Sequence, residues 1–435
     1  MRGVILAWVW FLAASVNAQE SIAPTILETD VENEFAASVE KLPGGEIAIL
    51  VNAQLNDNRV RLHLRDKDNK LLFSEPLSLV SLWRPRFANS QVDEFSGTLA
   101  VVDETHFVAT FVTVSGGQCR TVAAMMRTDG GWDWLTQMPT IGNAVVFDRP
   151  PRAAIAPGGM VVVAYAAMGQ THVARIGPNG VSLGETVWPG DDAAGSAPFG
   201  LDVNNGAIWL GVQNGLGLVS RYGLVKFDLN GQFQWAKSQT QDVINILGPA
   251  WIRGLDNGTA VIVAGEEGPF GSHRTTITRY APDGTVLNRR MDPPANVHNG
   301  GTLRSASILA NGSLAYAMFL GSAPVLTLGN ADGSIVWQED VSGQLGTSGS
   351  GLPVTVDLDP STLALAVSHD SIGFATFTNS GSLSWDETFP IGGECVCSLW
   401  SVSGRVVTVI NDGQQIQVFS RAPAPVVAQA VRRGR

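Results

Sequence analysis

Residues 222–238 read Tyr-Gly-Leu-Val-Lys-Phe-Asp-Leu-Asn-Gly-Gln-Phe-Gln-Trp-Ala-Lys-Ser. An alternating apolar run ends at Phe227, the corner Asn230-Gly231 follows, and a second run leads to Trp235. Asn-Gly between two alternating runs is a strong hairpin signal, because a two-residue turn there needs φ > 0 at both corner positions. The stretch therefore predicts two antiparallel strands joined by a tight turn.

The same unit recurs along the chain. Matching corners are spaced 48–53 residues apart from Gly130 to Gly381, and a large aromatic follows four residues after five of the seven corners. A second series of corners, such as Asn205-Gly206 and Asn257-Gly258, precedes the first in each unit. Two corners per unit imply four antiparallel strands, and their head-to-tail repetition is typical of a β-propeller. We expect the recurrent aromatics to pack between neighbouring blades. They are Phe73, Trp134, Trp235, Trp337 and Trp385.

The number of blades follows from the two ends of the chain. The last unit supplies strand patterns at 399–402, 405–410 and 415–420 but lacks a fourth, while residues 22–28 have no partner of their own. Pairing the two ends would complete a blade and remove exposed edges. The sequence therefore predicts an all-β propeller of eight four-stranded antiparallel blades, closed by its N- and C-terminal strands. Seven blades with an appended hairpin is the alternative. The propeller domain would span 19–422, with a flexible tail at 423–435.

The first eighteen residues have the pattern of a secretory signal peptide. Arg2 precedes an apolar run over 4–14, and Val16-Asn17-Ala18 gives a small-residue cleavage pattern. A membrane anchor is the alternative, but the run is shorter than the roughly 20 residues that span a bilayer. We expect cleavage after Ala18, a secreted or periplasmic protein, and no membrane insertion afterwards.

The net charge is −11, from 28 basic and 39 acidic residues. Nucleic-acid binding needs a basic surface that releases counterions from phosphate, so a nucleic-acid partner is not expected. The six histidines are scattered and show no metal-ligand spacing, so no metal site is predicted either.

Three cysteines suit an oxidising compartment, where two thiols are expected to pair. Cys395 and Cys397 are separated only by Val396, and Cys119 lies far away in sequence. A bridge between Cys395 and Cys397 would close a strained loop. Pairing of Cys119 with either would connect distant parts of the fold and leave one cysteine free.

The units at 225–235, 279–287 and 333–337 resemble the repeat of bacterial exported β-propellers, which are similar in blade pattern to quinoprotein (PQQ-like) propellers. The resemblance covers nearly all of the predicted mature chain and implies a β-propeller without an assigned activity. Quinoprotein dehydrogenases would carry adjacent cysteines and a Ca²⁺ ligand set beside the quinone. Here Val396 interrupts the cysteines and no such ligand set is apparent, so no quinone or other cofactor is predicted.

Ligands of propellers lie on the loop face around the central channel, so long polar connections are the candidate sites. The connection 189–199 carries Asp191 and Asp192, and 292–304 carries His298 and Arg304. A third, 341–352, is rich in Gly and Ser.

A further candidate is the stretch Trp83-Arg84-Pro85-Arg86-Phe87, where Trp83, Arg84 and Arg86 combine stacking with bidentate hydrogen bonding. This combination suits an anionic or sugar-like ligand. The structural alternative, in which both arginines pair with acids and the aromatics pack between blades, is favoured.

The sequence contains no recognisable catalytic constellation. We therefore predict a non-catalytic binding or scaffold module whose protein or carbohydrate partner binds the axial loop face. The alternative is a glycan-active hydrolase or lyase, with Asp191, Asp192 and His298 as the first acid/base candidates. A glycan-active enzyme would place two carboxylates roughly 5–10 Å apart across an axial pocket.

Overall fold

The computed structural model describes residues 25–26, 34–53, 59–66, 70–76, 93–115, 118–143, 150–188, 190, 195–214, 221–238, 247–267, 273–292, 301–330, 334–345, 354–358, 362–368, 372–389, 395–402, 405–411 and 416–421.

These residues form an all-β, propeller-like fold of four-stranded antiparallel sheets. Seven sheets each consist of four strands that are consecutive in the chain. The first four of these sheets are β2 (Glu34–Lys41), β3 (Ile47–Ala53), β4 (Arg59–Arg65) and β5 (Leu71–Pro76); β6 (Asp93–Val101), β7 (His106–Ser115), β8 (Gln118–Arg127) and β9 (Trp132–Asn143); β10 (Arg152–Ile155), β11 (Val161–Ala167), β12 (Gln170–Ile176) and β13 (Ser182–Trp188); and β14 (Ser196–Asn204), β15 (Ala207–Asn214), β16 (Arg221–Asp228) and β17 (Phe233–Ser238).

The other three are β18 (Leu247–Gly254), β19 (Ala260–Glu267), β20 (His273–Tyr280) and β21 (Val286–Asp292); β22 (Gly301–Ile308), β23 (Leu314–Leu320), β24 (Ala323–Gly329) and β25 (Ile335–Asp340); and β26 (Val354–Leu358), β27 (Thr362–Ser368), β28 (Ile372–Thr378) and β29 (Leu383–Phe389). A further four-stranded sheet joins β1 (Thr25–Ile26) to β32 (Ile416–Arg421), β31 (Arg405–Asn411) and β30 (Cys395–Val402). Short helical turns occur at Pro157–Gly159 and Ser342–Leu345.

The middle strands of each sheet are the most buried. In the sheet β14–β17, nearly all of β15 and most of β16 are buried, whereas the outer strand β17 is exposed or half-buried. Near-continuous apolar runs suit such strands, because both faces of the sheet pack against neighbours. Leu50 and Leu62 of the first sheet, for example, share one apolar core with Phe107 and Phe111 of the second.

The first strands of successive sheets contact one another from β2 through β6, β10, β14, β18, β22 and β26 to β30, and β30 also contacts β2. We call the space that these first strands line the axial channel. Each first strand lies at the edge of its sheet. Several of its backbone N–H groups donate hydrogen bonds to side chains of the first strand of the preceding sheet. Ser38 Oγ accepts from Leu99 N at 3.1 Å, and Ser307 Oγ accepts from Leu358 N at 3.2 Å. Such bonds satisfy edge groups that would otherwise lack partners.

The outer corners, between the third and fourth strands, differ from the predicted two-residue turn. Gly231 N donates to Asp228 O at 2.9 Å, and Asp228 N donates to Gln232 O at 3.0 Å. Gly231 has φ +76°, but Asn230 is not among the described residues with positive φ. This is the pattern of a wider turn with a bulge at its left-handed glycine. The Asp228 carboxylate favours it by accepting from Asn230 N and Gln232 N at 2.9 and 2.8 Å.

The two-residue prediction is correct elsewhere. At Asn205-Gly206, between β14 and β15, both residues have positive φ, +50° and +75°. Met168-Gly169 forms an equivalent corner with φ of +52° and +75°, although the sequence pattern did not single it out. A corner at which an Asn-Gly pair follows an Asp two residues earlier is therefore not equivalent to an isolated Asn-Gly pair.

Four of the recurrent aromatics, Phe73, Trp134, Trp235 and Trp337, pack against the next sheet, as predicted, and the side chain of Trp385 lies outside the described residues. Trp134 Nε1 donates to Pro178 O at 2.9 Å, and a Cβ atom on Gly180 would lie only 2.6 Å from the Trp134 ring. Trp235 has the same relation to the next sheet, because its Nε1 donates to Pro282 O at 2.8 Å. The aromatic of one unit therefore packs against the corner glycine of the next unit, and this contact is repeated between successive sheets.

Several sequence-based boundaries need correction. β14 begins at Ser196, inside the predicted connection 189–199, and Arg304 lies within β22 rather than in a loop. The pairing predicted between the segment 22–28 and the C-terminal strands, by contrast, is seen at Thr25 and Ile26, which pair with Val418 and Gln417 of β32. The predicted signal peptide and tail lie outside the described residues. None of the described helices is long and apolar enough to cross a membrane.

Candidate functional site: the axial channel

The pairing register places a set of polar residues at one level of the axial channel. Counted from the corner that joins the first strand to the second, the same position of the first strand is occupied by Glu40, Asp202, Arg253, Ser307 and Asp357. In β6 and β10 this position holds alanine, at Ala100 and Ala154. Ionisable side chains from sheets that are far apart in the sequence therefore lie at matching positions of the strands that line the channel.

Asp202 and Arg253 form an ion pair between neighbouring first strands. Arg253 Nε lies 3.7 Å from Asp202 Oδ2, and the same carboxylate oxygen accepts a hydrogen bond from Gly254 N at 2.7 Å. The Asp202 side chain is 14% exposed. Burial raises the pKa of Asp202, while Arg253 and the backbone N–H lower it. Asp202 is thus already bound by groups of β18.

Glu40 is less well compensated. Burial raises the pKa of Glu40 from 4.5 to about 7, with Arg253 lowering it and Asp357 raising it further. No described residue donates a hydrogen bond to its carboxyl group. Because like charges in a partly desolvated site oppose ionisation, Glu40 can exchange a proton near neutral pH.

Glu40 also lines a cavity of about 280 Å³. The cavity is formed by the first strands of five sheets, β2, β6, β10, β14 and β18. Its polar contributors include Ser38, Glu40 and Arg152, and Phe199 and Trp251 supply aromatic surface. Its volume lies just below the roughly 300–1,000 Å³ that is usual for drug-sized ligands, so it suits a small molecule.

A second ionisable cluster lies between the sheets β6–β9 and β10–β13 and has a structural role. The Tyr165 hydroxyl and the Thr140 hydroxyl both donate to the Glu185 carboxylate, and His172 Nδ1 lies 3.4 Å from it. Burial and the Glu185 contact raise the pKa of Tyr165. These bonds connect neighbouring sheets and satisfy buried polar groups. Among the described residues, no group of three or more His, Cys, Asp or Glu could hold a metal ion.

Of the site residues predicted from the sequence, Arg304 is described. Its guanidinium carbon lies 5.8 Å from the Phe319 ring centroid, where β22 packs on β23, and it occupies the bulge between Leu303 and Ser305. Trp83, Arg84, Arg86, Asp191, Asp192 and His298 lie outside the described residues. The role of these six residues stays a prediction, and the charged residues that the described first strands bring together were not among the predicted ones.

Of the three cysteines, only Cys119 has a described side chain. Cys119 is buried on β8 with a free thiol among the described side chains, and burial raises its pKa. Cys395 begins β30, and Cys397 lies at the bulge of that strand. The side chains of Cys395 and Cys397 lie outside the described residues, so the pairing of Cys119 stays a prediction.

Glu40, Asp202, Arg253 and Asp357 were missed because candidates were sought in long connections. Each stands three or four residues before a predicted corner between the first and second strands, next to buried-strand patterns. A charged residue at the same place in several repeats was a detectable signal, because equivalent positions of a propeller converge on its axis.

No protein-family model matches the chain, and no curated protein matches it. Among solved structures, the computationally designed protein Ika8 aligns with a TM-score of 0.54 at 11% identity, covering 90% of this chain and 97% of that chain. A structure of prolyl endopeptidases aligns at 12% identity with a TM-score of 0.49, covering 87% of this chain and 54% of that one. Prolyl oligopeptidase B from Galerina marginata aligns at 8% identity with a TM-score of 0.46, covering 88% of this chain and 56% of that one. The likeness to Ika8 concerns the fold alone, and the two peptidase alignments carry no argument.

Proposed function

We propose that this protein is an exported, propeller-type binding module without catalytic activity of its own, and that its ligand occupies the axial channel. The observation that carries the proposal is the cavity of about 280 Å³, where first strands from five sheets bring polar and aromatic side chains together. Convergence of a few polar groups in a concave, partly apolar site is typical of a small-molecule site.

The closed ring is part of this proposal. We infer that β1 and β30–β32 form an eighth blade, and that the repeats belong with the PQQ-like exported propellers that they resemble. Contacts of β30 with both β26 and β2 support closure, as does the pairing of Thr25 with Val418. Export rests on the signal pattern of residues 1–18, and N-terminal sequencing of the protein recovered outside the cytoplasm should begin at Gln19.

A ligand screen tests the channel proposal. Soluble amines, amino acids, sugars and organic acids are added to the purified protein, and stabilisation is measured as a rise in Tm. Compounds that bind the cavity should stabilise the native protein but not Ala250→Leu, which places a larger side chain on the cavity wall. Equal stabilisation of both proteins, or stabilisation of neither, would reject the channel as the binding site.

A glycan-active enzyme remains the second candidate, because Glu40 has a raised pKa and Asp357 lies near enough to affect it. Glycosidases pair an acid of raised pKa with a second carboxylate. However, Glu40 is the one carboxylate among the described residues that line the cavity, and Asp202 is bound by Arg253 and Gly254. Release of nitrophenol from aryl glycosides by the native protein, abolished in Glu40→Gln, would favour the enzyme over the binding module.

A further inference from the structure

The carboxylates near the cavity differ in how many cationic or N–H groups stabilise their negative charge. Glu40 is influenced electrostatically by Arg253 and Asp357, Asp202 forms an ion pair with Arg253, and Arg152 lines the same cavity as Glu40. Arg253 is shared, because it forms the ion pair with Asp202 and also attracts Glu40. Ionised Glu40 is therefore attracted by the guanidinium of Arg253, which it shares with Asp202, and repelled by the carboxylate of Asp357.

Part of the wall of the cavity that Glu40 lines is apolar and aromatic. Trp251 is half-buried and lines the cavity together with Ala250 and Ile252 of the same strand. Phe199 is 5% exposed and packs edge-on against Tyr222, at 4.9 Å between ring centroids, which holds its ring in place. A carboxylate and an indole ring in one small cavity are the groups that recognise an organic cation.

We propose that the cavity binds a small ligand of the alkylammonium class, whose positive charge lies between the Glu40 carboxylate and the Trp251 ring. This inference rests on the proposed function and specifies its ligand. The cation stabilises ionised Glu40 and offsets its repulsion by Asp357. Arg152 of β10 also lines the cavity, and its positive charge favours a ligand whose cationic group lies near Glu40 and away from this guanidinium.

Binding of such a cation is linked to the proton on Glu40. The pKa of this carboxyl is raised to about 7, so most of it is neutral at pH 6 and ionised at pH 8. A cation binds the ionised form better, and binding at pH 6 to 7 must release a proton. Affinity is therefore expected to increase with pH, by up to about tenfold between pH 6 and pH 8.

The test uses isothermal titration calorimetry with choline and with 3,3-dimethylbutan-1-ol, a neutral molecule of nearly the same shape. We expect choline to bind at least tenfold more tightly than the alcohol at pH 8, and to lose most of this advantage at pH 6. Glu40→Gln should abolish the pH dependence and most of the preference for choline, leaving the part that the Trp251 ring supplies. Trp251→Leu should weaken choline binding at both pH values but keep the pH dependence.

Circular dichroism and Tm establish that both variants fold. Equal affinity for the two compounds, no binding of choline by the folded native protein, or unchanged binding by Glu40→Gln would each overturn the inference. If the screen described above finds a neutral or anionic ligand that Ala250→Leu no longer binds, the binding-module proposal stands and only the cationic ligand is rejected. If no compound is sensitive to Ala250→Leu, both fail.

Discussion

The interfaces between neighbouring sheets and the axial channel are built from opposite kinds of residue. Between sheets, an aromatic side chain packs under a corner glycine of the next sheet, as Trp134 does under Gly180. Along the channel, one matching position of the first strands carries carboxylates and a guanidinium, as at Glu40, Asp202 and Arg253. The repeated contact supplies stability through apolar burial, and the channel positions can then vary without loss of the fold.

The largest expected effect comes from removing an aromatic between sheets. Trp134 is 7% exposed, so Trp134→Ala should lower the free energy of unfolding by about 3–5 kcal/mol. The loss includes the hydrogen bond from Nε1 to Pro178 O. Urea unfolding measures it, and Leu183→Ala, at an exposed position of the next sheet, is the control with an expected change below about 0.5 kcal/mol. Similar losses for the two variants would mean that the aromatic does not hold these sheets together.

The glycine side of the same contact should give the next effect. Gly180→Ala places a Cβ 2.6 Å from Trp134 at a residue with φ +81°, so both overpacking and backbone strain contribute. We expect a loss of about 2–4 kcal/mol. Gly169→Ala is a matched control, because Gly169 has φ +75° and nothing within 4 Å of the added atom. It should cost only about 1–2 kcal/mol, the strain alone. If both variants lose the same amount, the close approach to Trp134 has no energetic weight.

One interface departs from the apolar pattern. On β4, Leu62 and Leu64 pack toward the sheet β6–β9, so Arg61, His63 and Arg65 lie on the other face. His63 is 1% exposed, and burial, followed by the charges of Arg65 and Arg61, lowers its pKa from 6.5 to about 3. The native state thus keeps His63 neutral while the unfolded chain binds a proton below pH 6.5.

The stability that comes from neutral His63 is therefore complete above pH 6.5 and is lost as pH falls toward 3. Relative to His63→Gln, the native protein should lose on the order of 2–3 kcal/mol between pH 7.5 and pH 4.5. Urea unfolding at both pH values measures this difference, with the variant correcting for every other titrating group. A constant difference between the two proteins would show that His63 titrates normally.

The fold was largely predictable because the repeated contact leaves two marks in the sequence, a corner glycine and an aromatic four residues later. The type of the Asn230-Gly231 corner was not, since it depends on the Asp228 carboxylate binding two backbone N–H groups. The channel residues were missed for a different reason. Glu40 and Arg253 are more than two hundred residues apart, and only the contacts between the first strands of successive sheets bring them near each other.

The smallest expected effect comes from the channel itself, through Glu40. Its pKa is raised from 4.5 to about 7, so the neutral form is favoured in the folded protein. The resulting stability is complete below pH 4.5 and is lost as pH rises through 7. Relative to Glu40→Gln, the native protein should lose on the order of 1–2 kcal/mol between pH 5 and pH 8.5, a range that allows for water reaching this half-buried group.

This pH dependence has the opposite sign to that of His63, which separates the two regions in a single experiment. Relative to the double variant, the native protein should have a broad stability optimum between pH 4.5 and pH 6.5, because the contribution of His63 is lost below pH 6.5 and that of Glu40 is lost above pH 4.5. Urea unfolding of the native protein, the two single variants and the double variant across pH 4–9 measures it. Parallel curves for Glu40→Gln and the native protein would mean that water hydrates this carboxyl freely. The channel would then lack the partly desolvated charge on which a cationic ligand depends.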